Sequence, residues 1–440
     1  MAAVVQRRRN AVAPTLYRWG GRDPRHLRRS DSSWDFRGED TKYATHGIYR
    51  YPAMMVAPVV RRLIEENNPA EDGGRLLDPF CGSGSVLIEA MLNGMAAVGT
   101  DINPLAILLS QVRTTPLAQE QVDKEIRVIE ARFTDLSSGS FRPDMPTLAD
   151  WYSAGSIRNL SRLREAIQGI RRPELRRFFL AAYAEAARHV SYTRLDEYKV
   201  FRISPDKRPK WTPDVWETFA RIVTHNTEKM ADFVQRLPRG AKQARILKAD
   251  SRVTGAIPHG PYDLIVTSPP YGDSHTTVAY GQFSSLSLAW LGQTRAEVNG
   301  IDRTSLGGRP TDSYNGRPDS ATLSRHLDKI REVDPHRARE VLAFYLDLRT
   351  AFRNIAAELA PGGMACVVVG NRTVSQERLE TDVILSELFE HECGLVHLET
   401  IVRGIPNKVM PLRNSPSNVA GAVGETMANE YILVLERPAS

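Results

Sequence analysis

The chain has 440 residues, is 42% hydrophobic and 25% charged, and carries a net charge of +6. That is a globular composition, long enough for one large elaborated domain or two to three smaller ones. The sequence offers no apolar run of membrane-span or signal-peptide length, and its three cysteines, Cys81, Cys366 and Cys393, lie far apart. It therefore leads us to expect a cytoplasmic protein with neither a disulfide framework nor a metal cluster.

In chain order, residues 1–40 read as an irregular basic arm, with eight arginines against one carboxylate, Asp23, in the first thirty. A helix is expected from Pro52, since Met55, Val59, Leu63 and Ile64 share one face. Leu76 and Leu77 make a short buried strand, SVLIEAMLNG a helix capped at Gly94, and MAAVGTDINP a second strand. Strand, glycine turn, helix and strand form the βαβ unit of a parallel sheet. The alternation then stops. Ile157, Leu160, Leu163, Ile167 and Ile170 recur at spacings of three and four, so 116–243 reads as an inserted helical region. Strands resume at ARILKAD and YDLIVTS. The Gly/Pro/Ser-rich segment 301–340 reads as a long loop, followed by a helix that Pro-Gly-Gly stops. MACVVVGN, VHLETIV and EYILVLER are the last strands. The expected architecture is one α/β domain, 41–115 with 244–440, interrupted by helices.

The turn LLDPFCGSGS ends a strand at Asp78 and carries Gly82 and Gly84 before a helix. Glycines let a ligand approach the backbone, and the helix start offers unpaired N–H groups. Asp101 ends the next strand, where a carboxylate can accept from both hydroxyls of a ribose. The third glycine of a dinucleotide turn is missing, and Leu87 stands there. A carboxylate at the mouth, Asp78, repels phosphate and attracts an ammonium or sulfonium. The combination points to S-adenosylmethionine.

DPFCGSGSVLIEA…GTDINPLA resembles the cofactor loop of the amino-methyltransferases that act on exocyclic nitrogens of bases. The resemblance implies a Rossmann-like class I methyltransferase sheet. It also implies a cofactor site formed by Asp78, Phe80, Cys81, Gly82 and Gly84 around the methionine end, Asp101 and Ile102 at the ribose, and Asp250 with Ser251 at the adenine. Cys81 then reads as a small packed residue rather than a nucleophile. THGIYRYPAMM is similar to the segment that closes over the cofactor in that family, which adds His46.

TSPPY follows the strand YDLIVT. The amine of cytosine is a poor nucleophile because its lone pair is delocalised into the ring. Acceptors on its protons draw it out of conjugation and stabilise the charge developing on nitrogen. Ser268 offers a hydroxyl and Pro269 a carbonyl that Pro270 holds outward. Tyr271 offers a face for an extruded base, where stacking is worth ~1–3 kcal/mol. In the family this corner reads Ser-Pro-Pro-Tyr mainly in cytosine-N4 enzymes and Asp-Pro-Pro-Tyr mainly in adenine-N6 enzymes. GDSHTTVAYGQFSSLSLAWLG and IPNKVMPLRNSPSNVAG also resemble bacterial DNA cytosine-N4 methyltransferases.

The resemblance implies double-stranded DNA as substrate, a cognate restriction enzyme or other defence component as partner, and work at the nucleoid. Arg171 to Trp211 holds eleven Arg or Lys against five acids. Clustered positive charge is the footprint of a phosphate-binding surface. Arg171, Arg172, Arg194, Lys199, Arg202, Lys207 and Arg208 are the candidates there, in a target-recognition region; the competing reading is a helical lid. Lys408 and Arg413 are candidates for the cleft near the C-terminus. The alternatives are an adenine-N6 enzyme, an RNA base methyltransferase, a binding protein that has lost catalysis, and a nicotinamide oxidoreductase.

Overall fold

A computed structural model describes residues 23–70, 73–195, 200–273, 278–405 and 427–439, with the backbone of 413–414 and 424–425. Short apolar runs build its main sheet. The strands are β1 (Arg28–Ser30), β2 (Arg75–Asp78), β3 (Ala96–Asp101), β4 (Arg245–Lys248), β5 (Tyr262–Thr267), β6 (Leu359–Val369), β7 (Val396–Gly404) and β8 (Asn429–Glu436). They lie in the order β1-β7-β8-β6-β5-β2-β3-β4. Only β8 is antiparallel, to both its neighbours. The strand order reverses between β2 and β5, so a crevice opens beyond the carboxyl ends of those two strands. This is the Rossmann-like class I methyltransferase sheet that the sequence led us to expect.

Helices cover both faces, which explains why the central strands are apolar runs rather than alternations. On one face α1 (Ala57–Asn67) and α2 (Ser85–Leu92) pack over Leu76, Leu264, Val266 and Val368. The other face is buried by later helices, named below. The insertion consists of α4 (Gln119–Asp135), α5 (Ala154–Gln168), α6 (Pro173–His189) and α7 (Val215–Arg236). It shares one apolar cluster with α3 (Pro104–Thr114) and α8 (Tyr280–Leu291), through residues such as Leu109, Phe179, Phe219 and Phe283. The insertion is therefore a third layer of the same body.

Four expectations change. First, residues 23–40 are not an irregular arm. β1 extends the sheet beside β7, Trp34 is fully buried, and Arg25 and Arg28 are bonded to Glu380 and Asp382 at 2.5 and 2.7 Å. Charges that read as free along the sequence are neutralised by acids some 350 residues away. Second, the helix expected from Pro52 starts at Ala57. Third, 301–340 is not one loop. It contains the end of α9 (Arg295–Thr304), α10 (Ala321–Val333) and the start of α11 (Pro335–Ala357), so only about its Gly/Pro-rich centre is irregular. α10 and α11 bury Leu327, Leu342 and Phe352 on the second face of the sheet, with α12 (Thr381–Cys393) beside them. Fourth, α11 already ends at Ala357; Pro361, Gly362 and Gly363 sit in β6, where its register with β5 shifts.

The missing third glycine has a physical answer. Leu87 on α2 occupies the space that a glycine would leave, and β3 gives up its own side chain opposite. A Cβ at Gly99 would lie 2.6 Å from Leu87 Cδ1 and 3.0 Å from Cys81 Cβ. Gly99→Ala is therefore expected to cost about 1–3 kcal/mol through overpacking. Adding Leu87→Val should recover part of that loss instead of adding to it, as denaturant titration of the single and double variants would read.

Candidate active site

Beyond the carboxyl ends of β2, β3 and β5 lies a partly open crevice, walled by the turn after β2, by Asp101 to Asn103 and by Ala249 to Arg252. Small-molecule sites favour this place in such sheets. Gly82 and Gly84, at the turn after β2, have φ of +50° and +87°, and a Cβ at Gly84 would meet Ser110 at 2.9 Å. Only glycine combines that conformation with that approach. The turn brings Gly82 N to 3.0 Å from Asp101 Oδ2, while Asn103 N donates to Oδ1 at 2.8 Å. Asp101 is thus clamped at the end of β3 with lone pairs to spare. Burial raises its carboxyl above the usual range, against those backbone bonds.

Asp78 ends β2 and is buried. Among the described residues both of its hydrogen bonds fall on Oδ1, from Thr267 Oγ1 at 2.7 Å and Phe80 N at 3.2 Å. Oδ2 is left for a cationic ligand. Burial pushes its carboxyl up to about 7, with the two bonds opposing. Phe80, Cys81 and Ile102 line the same space. Burial holds the Cys81 thiol well above its ordinary value, in keeping with a packed residue. On the far wall Ser251 Oγ donates to Pro79 O at 2.9 Å, and Arg252 bridges Asp250 and Asp347, each at 2.7 Å. Burial alone would raise Asp250, but its bonds from Arg252 win and lower it.

The segment before α1 splits into two roles. Tyr51 to Met55 line the crevice. His46 does not; its ring is buried behind the turn, 2.6 Å from Glu89 Oε1, which also accepts from Tyr43. The link forward is Arg113, fully buried on α3, which donates to the carbonyls of Thr45, His46 and Ser83 and to Ser83 Oγ. Sequence reasoning missed this residue, as well as Tyr51, Asn103, Thr267 and Tyr280. Tyr280 stacks on Tyr51 with centroids 6.1 Å apart, and Asn103 Nδ2 donates to Tyr51 and Ser284. The Asn103-Pro104 helix start was the legible signal; the partners are remote in sequence.

Ser268 and Pro270 line the crevice beside Asp78, with Pro269 buried between them. Tyr271, expected to offer a face to an extruded base, is not among the residues that line the crevice; it is half-buried beside Gly370, with its hydroxyl 3.1 Å from Glu430 Oε1. Asp273 is buried in an ion pair with Arg372 at 2.7 Å, which pins the outgoing chain. Residues 274–277 lie outside the described residues; from Tyr280 the tract is α8, whose Ser284 and Ser287 hydroxyls meet Asn103 and Tyr49.

The basic stretch does not gather into one patch. Arg171 and Arg172 are exposed before the start of α6, while Arg194, Arg202, Lys207 and Arg208 follow its end. Seventeen helical residues separate the two groups by ~25 Å. Arg202 lies 3.4 Å from Asp150, and Arg208 is over the Tyr192 ring. Lys199, Lys408 and the side chain of Arg413 lie outside the described residues. Among the described residues no cluster of His, Cys, Asp or Glu could hold a metal ion, and no helix is long and apolar enough to cross a membrane.

The family description "RMKL-like, methyltransferase domain" matches residues 51–132, which hold the glycine turn and Asp101. The type II methyltransferase M.MvaI of Kocuria varians is 34% identical over 425 residues, 91% of this chain and 93% of its own. The chain belongs to the type II DNA methyltransferases. Type II methyltransferase M.BsoBI of Geobacillus stearothermophilus is 23% identical over 59% of this chain and 55% of its own. Among solved structures, the rRNA methyltransferase aviRa of Streptomyces viridochromogenes covers 88% of this chain and 87% of its own at 12% identity, with a TM-score of 0.30. This methyltransferase uses S-adenosylmethionine, and the donor set fits it: carboxylates for the ammonium and ribose, and a turn without phosphate-seeking charge.

A carboxyl raised to about 7 has a signed consequence. Between the ordinary carboxylate range and pH 7 the folded chain holds a proton that the unfolded chain does not. Ionising Asp78 therefore weakens the fold as pH rises through that window. Asp78→Asn should keep or raise the melting temperature at pH 8 while weakening cofactor binding by ~10–100-fold, the worth of one charge-assisted bond. For the unsubstituted chain, calorimetric titration should show affinity falling from pH 8 to pH 6.

Proposed function

We propose that this methyltransferase modifies the exocyclic N4 of cytosine in double-stranded DNA, with the base extruded into the crevice. The observation carrying this reading is the wall that Ser268 shares with Asp78, joined by the Thr267 bond to Asp78. In it, Asp78, Phe80, Cys81, Gly82 and Gly84 hold the methionine end, Asp101 and Ile102 the ribose, and Asp250 with Ser251 the adenine. The cofactor supplies a methyl group on a cationic sulfur. Ser268 Oγ and the Pro269 carbonyl accept the two amine protons and turn the nitrogen lone pair out of conjugation. Transfer would exchange the S–C bond for an N–C bond, with Ser268 Oγ and the Pro269 carbonyl holding the amine protons until one is lost to solvent.

Ser268 favours cytosine over adenine, because a neutral hydroxyl stands where the related adenine enzymes carry a carboxylate. The exposed cations at the two ends of α6 grip phosphates on either side of the target site; Lys408 and Arg413, outside the described residues, are the remaining candidates for phosphate contacts. A restriction endonuclease of matching specificity is the partner this role implies, and the nucleoid is where the substrate lies.

Incubation with plasmid DNA and labelled S-adenosylmethionine, followed by digestion to nucleosides, should place the label in N4-methylcytosine. Label in N6-methyladenine would replace the cytosine reading with the adenine one, and label taken up only with RNA would sink both. Ser268→Ala should bind cofactor normally and turn over at least ~100-fold more slowly, the cost of one lost transition-state acceptor. Normal turnover would refute the role given to the corner.

A further inference from the structure

A serine hydroxyl can give a hydrogen bond or take one. At Ser268 the two senses have opposite effects. As an acceptor it draws an amine N–H; as a donor it points a proton at that same N–H. Something must set the sense, and serine alone does not.

Three side chains stand in line behind it. Ser268 Oγ donates to Tyr271 Oη at 3.3 Å, and Tyr271 Oη donates to Glu430 Oε1 at 3.1 Å. Arg403, buried on β7, lies 3.3 Å from Glu430 Oε2 and donates to Trp34 O. An ionised carboxylate accepts only. Tyr271 must therefore give its single proton to Glu430, and its oxygen is left as an acceptor toward Ser268. Ser268 then gives its own proton to Tyr271, and its lone pairs remain for the crevice that it lines. Burial, and after it the Glu430 charge, raise the Tyr271 hydroxyl well above its ordinary value, so the proton stays on the ring oxygen. Charge-assisted chains polarise each successive bond in the same sense.

We propose that Glu430, acting through Tyr271, is a positioning residue that locks the Ser268 hydroxyl in its accepting sense and so matches the corner to an amino group. This rests on Ser268 receiving the amine, as proposed above. Glu430 supplies, at two hydrogen bonds' remove, the acceptor that sets the sense of the chain. It lies at the start of β8, some 160 residues from the corner, and neither the glycine turn nor the Ser-Pro-Pro-Tyr run points to it.

The test is a double-mutant cycle on the full chain, read as single-turnover methylation with cofactor affinity and melting temperature measured alongside. Glu430→Leu and Tyr271→Phe should each slow methyl transfer by ~10-fold or more, with cofactor affinity unchanged. Glu430→Gln, whose carbonyl still accepts the tyrosine proton, should stay within ~3-fold of the parent. In the Tyr271→Phe background Glu430→Leu should add less than ~2-fold, since the chain is already cut. Full additivity, or Glu430→Gln falling as far as Glu430→Leu, would overturn the proposal, because a role in supporting the fold through Arg403 predicts those results. If Ser268→Ala slows turnover while Glu430→Leu does not, this inference fails and the acceptor role of Ser268 stands. If Ser268→Ala itself is silent, the earlier reading is what fails.

Discussion

The 2.7 Å hydrogen bond between Thr267 and Asp78 joins the two motifs that wall the crevice. Each residue ends its own strand, and the strands are neighbours, β2 and β5, at the point where the sheet reverses. The bond fixes the glycine turn after β2 relative to the Ser-Pro-Pro-Tyr corner after β5 without any intervening loop. It also explains the spelling of both motifs: an acid must end one strand and a small hydroxyl the other, in that register. Positioning to a fraction of an ångström is worth several kcal/mol in a transfer between two bound groups. Rigid strand ends are better placed to supply it than mobile loops.

Around that bond the protein builds walls from distant segments. Arg113 is a buried cation that satisfies three carbonyls and a hydroxyl, and burial lowers it to about 9, still charged at neutral pH. It ties the glycine turn to the segment carrying Tyr51. Asn103 ties Tyr51 to α8, and α8 carries the insertion with it through the shared apolar cluster. A substitution in the insertion can therefore reach the crevice through packing. The inserted helices and the sheet that carries the crevice are mechanically one piece.

What was legible in the sequence was local. Asp78, Gly82 and Asp101 belong to one strand–turn–helix–strand unit, whose geometry follows from short-range rules. The corner at Ser268 was legible because two prolines after an apolar strand permit few conformations. What was not legible depended on contacts between remote segments. Arg25 and Arg28 looked like a free basic arm because Glu380 and Asp382 are far along the chain. His46 sat in the right segment with the wrong orientation, since a ring held by Glu89 cannot also face the crevice. Segment 301–340 was misread because its Gly/Pro-rich centre outweighed the helical spacing of Leu323, Leu327 and Ile330 that follows.

The place of β8 has a consequence for how the chain assembles. β7 touches the rest of the sheet through β8, and β1 touches it through β7. β8 is the last strand in the sequence, yet it must be inserted before either of the others has an edge to join. During synthesis Arg28–Ser30 thus waits for some 400 further residues before it can pair. The parallel half around β2, β3, β4 and β5 has no such dependence and can form early. The glycine turn and Asp101 lie in that early half. Glu430 lies in the strand that arrives last, so the walls of the crevice can form before the hydrogen-bond chain behind Ser268 has its terminal carboxylate.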